Sequence, residues 1–135
     1  DIVSFKSEHF EEIYSIDELD SKLSKMDIVI LTLPLTDETR YLFNKSKFQK
    51  MKDGAVLVNI SRGAVINTND LIEALNQNLG GAVLDVFETE PLEDNSPLWD
   101  MKNVIITPHN SFVGEGNNNR LFEVVISNLE NFKRG

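Results

Sequence analysis

Four short runs of β-branched and aliphatic residues constrain this chain more than any other feature: Ile28 to Leu33, Ala55 to Ile60, Ala82 to Val86 and Val104 to Ile106. Each is nearly continuous rather than alternating, the pattern of strands covered on both faces. The runs start 27, 27 and 22 residues apart, too far for hairpins and suited to crossovers that carry a helix. The spacing predicts an α/β fold built on a parallel sheet of about four strands with flanking helices.

Helical signals fall between the runs. Ser15-Ile16-Asp17-Glu18 has the form of a capping box, in which hydroxyl and carboxylate each satisfy an orphan amide, and predicts a helix to about Lys25. Thr68 to Gln77 puts Leu71, Ile72 and Leu75 on one side, and Asn44 to Met51 forms a shorter helix with Phe48 and Met51 as its apolar positions. The link from Phe87 to Asn103 is broken by Pro91 and Pro97, and its Leu98-Trp99 pair reads as a hydrophobic plug beneath a long loop. From about Glu115 to Lys133, Leu121, Val125, Leu129 and Phe132 keep helical spacing, widened by Phe122 and Ile126, so the last helix is expected to bury a broad face.

Composition narrows the partners. The chain has 135 residues, with 22 acids against 13 bases and a net charge of −9. That length supplies one domain at most, and the acidic balance offers no footprint for nucleic acid or an anionic membrane. The absence of cysteine excludes a disulfide framework, a thiolate zinc site and a cysteine nucleophile, and fits a cytoplasmic setting. No metal site is expected. The longest apolar stretch, Ile28 to Leu35, is interrupted by Thr32 and Pro34 and falls short of the roughly 20 residues of a membrane span. Because the first residue is Asp1 rather than Met, the natural N-terminus is expected to be processed or to lie upstream.

In open α/β sheets, ligands bind beyond the carboxyl ends of the strands. Pro34-Leu35-Thr36 follows the first run and Ser61-Arg62-Gly63 the second; the third holds Asp85 near its end and is followed by Glu88 and Glu90; Thr107-Pro108-His109 follows the fourth. Each has a bland reading. Arg62 could be an ordinary exposed arginine, Gly63 a backbone turn, Glu88 and Glu90 members of a solvated acidic loop with Glu93 and Asp94, and His109 a surface residue. Asp85 in an apolar strand is harder to dismiss, because a buried carboxylate needs partners. Trp99 reads as core, Glu73 as solvent-facing, and His9 receives no role. Convergence of an arginine, carboxylates and a histidine on one rim points to acid–base chemistry on an anionic substrate.

Four segments carry a family resemblance: DIVILTLPLTDETRYLFN (27–44), MKDGAVLVNISRGAVINTNDLIEAL (51–75), GGAVLDVFETEPL (80–92) and NVIITPH (103–109). In order and spacing they resemble the D-isomer-specific 2-hydroxyacid dehydrogenases, the group that includes D-lactate, D-glycerate and phosphoglycerate dehydrogenases. The resemblance implies a Rossmann-like sheet and an NAD-dependent oxidoreductase, with NADP not excluded, acting on a 2-oxo or D-2-hydroxy acid as a homodimer. It identifies Arg62 with the substrate-binding arginine, Glu90 with the catalytic carboxylate and His109 with the acid–base histidine. Asp85 resembles the aspartate that holds the nicotinamide carboxamide, and Pro34 and Ser61 the wall of the dinucleotide cleft. The chemistry suits these types: a guanidinium grips a planar carboxylate bidentately, while Glu90, paired with one ring nitrogen, orients the imidazole that protonates the developing alkoxide.

The chain also departs from the family pattern. Asn76 to Leu79 is about one residue short, a change expected to be absorbed in a turn, and NSFVGEGNNNR after His109 differs from the commoner sequence. No glycines form GxGxxG, so the first strand, its Gly-rich turn and the second strand are not represented. Residues 1–112 are therefore expected to be the second half of a dinucleotide-binding domain, and 113–135 a helix returning toward a substrate domain. The Ile28 to Leu33 strand would then present an apolar edge able to self-associate, and these residues alone are expected to be inactive. Two rival readings are a non-enzymatic, nucleotide-sensing corepressor-like member and a stand-alone interaction remnant.

Overall fold

The computed structural model describes residues 11–133; His9 lies outside them. Its elements, in chain order, are α1 (Leu19–Leu23), β1 (Ile28–Leu31), α2 (Lys45–Phe48), β2 (Val56–Asn59), α3 (Thr68–Leu75), β3 (Gly81–Leu84), β4 (Val104–Ile106) and α4 (Asn117–Lys133). The four strands form one parallel sheet in the order β1-β2-β3-β4. Each strand therefore lies beside its sequence neighbour, and the four carboxyl ends line one rim in chain order.

Local chemistry sets the helix starts. Ser15 and Glu18 form the expected capping box, although it opens a short 3-10 turn over Ile16–Glu18 and α1 stops at Leu23 rather than near Lys25. The Asn44 side chain accepts from Ser46 N at the start of α2, and Asn67 accepts from Asp70 N at the start of α3. Both helices end earlier than their apolar spacing suggests, α2 at Phe48 and α3 at Leu75. Residues 76–79 make the turn into β3, where Leu79 N donates to Ala74 O.

The core occupies one side of the sheet. Leu31, Leu57, Ala82 and Leu84 are buried against Leu23 of α1, Phe48 of α2 and Leu71, Ala74 and Leu75 of α3. Phe43 joins them, its ring tilted against Phe48 at a centroid distance of 6.2 Å. Surface ion pairs connect the covering layer: Asp20 of α1 takes both Lys47 and Lys50, and Lys45 meets Glu73 at 2.6 Å.

The expectation that both faces are covered does not hold among the described residues. Ile28, Ile30 and Ile105, which share the opposite face, are 60%, 58% and 60% exposed. A continuous apolar run encodes two apolar faces and is silent on which polypeptide covers each. The last helix differs from expectation in the same way: α4 forms at its predicted position but buries no residue. Of the Leu98-Trp99 plug only Leu98 is core, 1% exposed, whereas Trp99 is 51% exposed and its indole N–H donates to Glu93 O at 3.0 Å. No helix among the described residues is long and apolar enough to cross a membrane.

Candidate active site at the carboxyl rim

The turn after β2 is built around a residue within the strand, Asn59, that the pattern of strand ends does not mark. Asn59 is fully buried, and its Oδ1 accepts from Ser61 N at 3.1 Å and Ser61 Oγ at 2.8 Å, while its Nδ2 donates to Arg62 O at 3.1 Å. Arg62 is exposed, with Nη1 donating to Ser61 O at 2.7 Å. An amide inside the run Ala55 to Ile60 is the sequence signal for it, since a buried polar side chain needs partners.

Gly63 has a different role from the turn flexibility its position suggests. A Cβ there would lie 1.8 Å from Phe87 C and 1.9 Å from Phe87 O, so the backbone after Arg62 packs directly on the backbone after β3. A side chain at this position would separate the loop bearing Arg62 from the loop bearing Glu90.

Glu90 and His109 are in direct contact. Glu90 Oε2 lies 2.7 Å from His109 Nδ1, and Glu90 Oε1 accepts from Phe87 N at 3.0 Å, so both carboxylate oxygens are committed. Partial burial pushes the Glu90 carboxyl up, but the Phe87 amide and the His109 ring outweigh it and hold the group below its ordinary range. With Nδ1 committed to Glu90, Nε2 is the ring atom left to meet a ligand. Glu88 serves another end: its Oε1 accepts from Thr68 N at 3.0 Å, at the start of α3.

Asp85 governs the backbone around His109, which adopts a left-handed conformation with φ of 53°. The carboxylate, 1% exposed, accepts from Thr107 Oγ1 at 2.5 Å, Asn110 N at 2.9 Å and Ser111 N at 2.9 Å. These donors bracket His109 on both sides and hold its uncommon backbone geometry in place. Burial pushes the Asp85 carboxyl up, yet the hydrogen bonds from Thr107, Ser111 and Asn110 overcome that and keep it well below the usual carboxylate range.

The rim thus brings Glu90, His109 and Asp85 into one bonded unit, with Arg62 on an adjoining, backbone-packed loop. Pro34 stands at the far end of the rim after β1, its carbonyl accepting from Thr39 Oγ1 at 2.7 Å. Beside the histidine lies a cleft of about 670 Å³ walled by Phe87, Glu90, Pro91, Leu92, Trp99 and His109, among others. Trp99, expected as core, therefore lines a cavity next to the Glu90–His109 pair.

Comparison with known proteins is consistent with this geometry. The family model described as "D-isomer specific 2-hydroxyacid dehydrogenase, NAD binding domain" matches residues 3–111. A hydroxypyruvate reductase from Blautia hydrogenotrophica is 44% identical over 119 residues, covering 87% of this chain and 37% of that protein. A D-isomer specific 2-hydroxyacid dehydrogenase family protein from Aeromonas salmonicida superposes with a TM-score of 0.87 at 41% identity, over 97% of this chain and 42% of that one. A probable 2-hydroxyacid dehydrogenase from Rhizobium etli, solved in complex with NADP, HEPES and L(+)-tartaric acid, gives 0.83 at 42% identity, over 96% and 42%. The chain spans roughly two fifths of the length of such relatives. Its sheet, its rim and these matches together place it in the D-isomer-specific 2-hydroxyacid dehydrogenase family, as the C-terminal part of the NAD-binding domain.

Proposed function

We propose that the chain supplies the acid–base and substrate-gripping groups of an NAD(P)-dependent oxidoreductase that interconverts a small 2-oxo acid and its D-2-hydroxy acid. The observation that carries the reading is the Glu90–His109 pair at 2.7 Å, fixed from behind by the Phe87 amide. The names of relatives, hydroxypyruvate reductase and glyoxylate reductase, support small 2-oxo acids as substrates.

Arg62 grips the substrate carboxylate through its planar fork. His109 Nε2 delivers a proton to the carbonyl oxygen as the bond to oxygen becomes single, and takes it back in the reverse direction. Glu90 keeps Nδ1 occupied and compensates the positive charge of the protonated ring. A nicotinamide held at this rim by Asp85 would supply or accept the hydride. The donor set fits that cofactor: its carboxamide needs an acceptor, and Asp85 Oδ2 takes one hydrogen bond where Oδ1 takes two. Pro34 and Ser61 furnish the wall at the ends of β1 and β2.

On this reading, residues 1–112 form the second half of the dinucleotide-binding domain and 113–135 the helix toward the substrate domain, and the family match over residues 3–111 supports that division. The phosphate-binding turn must come from outside these residues, so the isolated segment is inactive. A homodimer, or self-association along β1, is the expected assembly; Ile28 and Ile30, exposed on the edge strand, support it.

Two substitutions in the full chain test the assignment. Arg62→Lys replaces a fork with a point charge and is expected to raise KM for glyoxylate or hydroxypyruvate about tenfold, with a smaller change in kcat; an unchanged KM removes Arg62 from the site. Glu90→Gln retains shape without charge and should move the pH–rate profile of oxo-acid reduction toward lower pH while leaving KM within about twofold. A profile superimposable on the parent's would rule out the paired role of Glu90.

A further inference from the structure

We propose that Asn59 is a positioning residue for Arg62, setting the approach of the guanidinium to the substrate carboxylate. The inference rests on the reading of Arg62 as the carboxylate grip and adds a residue to it.

Asn59 ends β2 in register with Leu31 on one side and Leu84 on the other, both buried and apolar. A leucine would suit those neighbours, and an amide in that place is unfavourable unless its hydrogen bonds are made. The side chain makes three, and all go to two residues just ahead in the chain: Ser61 N and Ser61 Oγ donate to Oδ1, and Nδ2 donates to Arg62 O. None reaches a neighbouring strand or a covering helix. The polarity of Asn59 is therefore directed at the shape of the Ser61-Arg62 turn and at nothing in the sheet.

One further contact carries that shape to the guanidinium. Ser61, held at N and Oγ by Asn59, accepts Arg62 Nη1 at its carbonyl, 2.7 Å away. Arg62 is thus referenced to Asn59 twice, through its own carbonyl and through that of Ser61. The next residue, Gly63, rests on Phe87, whose amide binds Glu90. A buried amide in β2 in this way anchors the arginine at a fixed distance from the acid–base pair without touching the substrate.

The experiment compares the full chain with Asn59→Leu, which keeps the apolar packing and loses all three bonds. A second variant, Asn59→Thr, keeps a hydroxyl able to accept from the amide two residues on but loses the donor to Arg62 O. KM and kcat for glyoxylate, the pH–rate profile and the melting temperature are measured for each. The expected result is a KM raised tenfold or more for Asn59→Leu and threefold or more for Asn59→Thr, with the pH–rate profile unshifted in both, since His109 and Glu90 are untouched. In an Arg62→Lys background, Asn59→Leu should add less than twofold, because the two residues act through one contact. Wild-type KM in either folded variant overturns the proposal, as does a profile displaced like that of Glu90→Gln. Failure of both variants to fold also overturns it, by making Asn59 a residue of the fold. If instead Arg62→Lys alone leaves KM unchanged, it is the reading of Arg62 that fails.

Discussion

Replacing Gly63 with alanine is expected to lower stability by about 3 kcal/mol and kcat/KM on the order of 100-fold. The added carbon would lie inside the Phe87 carbonyl, at 1.8 Å from its carbon and 1.9 Å from its oxygen, with Glu88 N at 2.5 Å. All three neighbours are backbone, so no side chain can swing away and the two loops must part. Parting them separates Arg62 from Glu90 by about an ångström, which is enough to spoil the alignment that the proposed joint action of the two groups on one small acid requires. Thermal melting and steady-state kinetics of the full chain check both effects; a folded Gly63→Ala protein with parental kcat/KM would show that the loops move independently.

Asp85→Ala should also lower stability, by about 2 kcal/mol, because it leaves the Thr107 hydroxyl and the Asn110 and Ser111 amides, all in part-buried bonds to the buried carboxylate, without their acceptor. His109 is then free to leave its left-handed conformation, and activity should fall with it. The pH dependence gives a sharper test. The Asp85 carboxyl is held well below its unfolded value of about 3.9. A depressed acid contributes its full stability above the unfolded value and loses it as pH falls toward the folded one. The parent protein should therefore lose stability progressively below about pH 5, and Asp85→Asn, which has no proton to take up, should show a flatter profile there. Glu90 is depressed in the same sense, but its carboxylate is 35% exposed and its share is screened by solvent. Parallel acid-denaturation curves for parent and Asp85→Asn would assign the acid sensitivity elsewhere.

What could be read from the sequence follows from where each kind of information resides. The four strands were legible because parallel pairing demands long connections and apolar runs, and both are local. The rim was legible because strand ends in such a sheet share a side, so Arg62, Asp85, Glu90 and His109 could be brought together before any contact was known. The partners of Asp85 were not, since they come from residues 22 to 26 positions later. Asn59 stands in an apolar run, and a strand-end pattern marks the residues that follow a strand and not a polar one within it, although a buried amide there needs partners. Trp99 was placed in the core by its hydrophobicity alone, and hydrophobicity does not distinguish the inside of a loop from the wall of a cleft. The uncovered sheet face and the unpacked α4 share one cause: an apolar surface is written the same way whichever polypeptide covers it.

The seventeen residues of α4 begin with three asparagines and include two adjacent valines and an isoleucine, all modest helix formers. Its large apolar side chains are between 38% and 85% exposed. By itself, a helix of this length and composition is at best marginally stable in water. Its order is therefore borrowed from whatever surface takes up Leu121, Val125 and Leu129, and the helicity of this segment measures whether that surface is present.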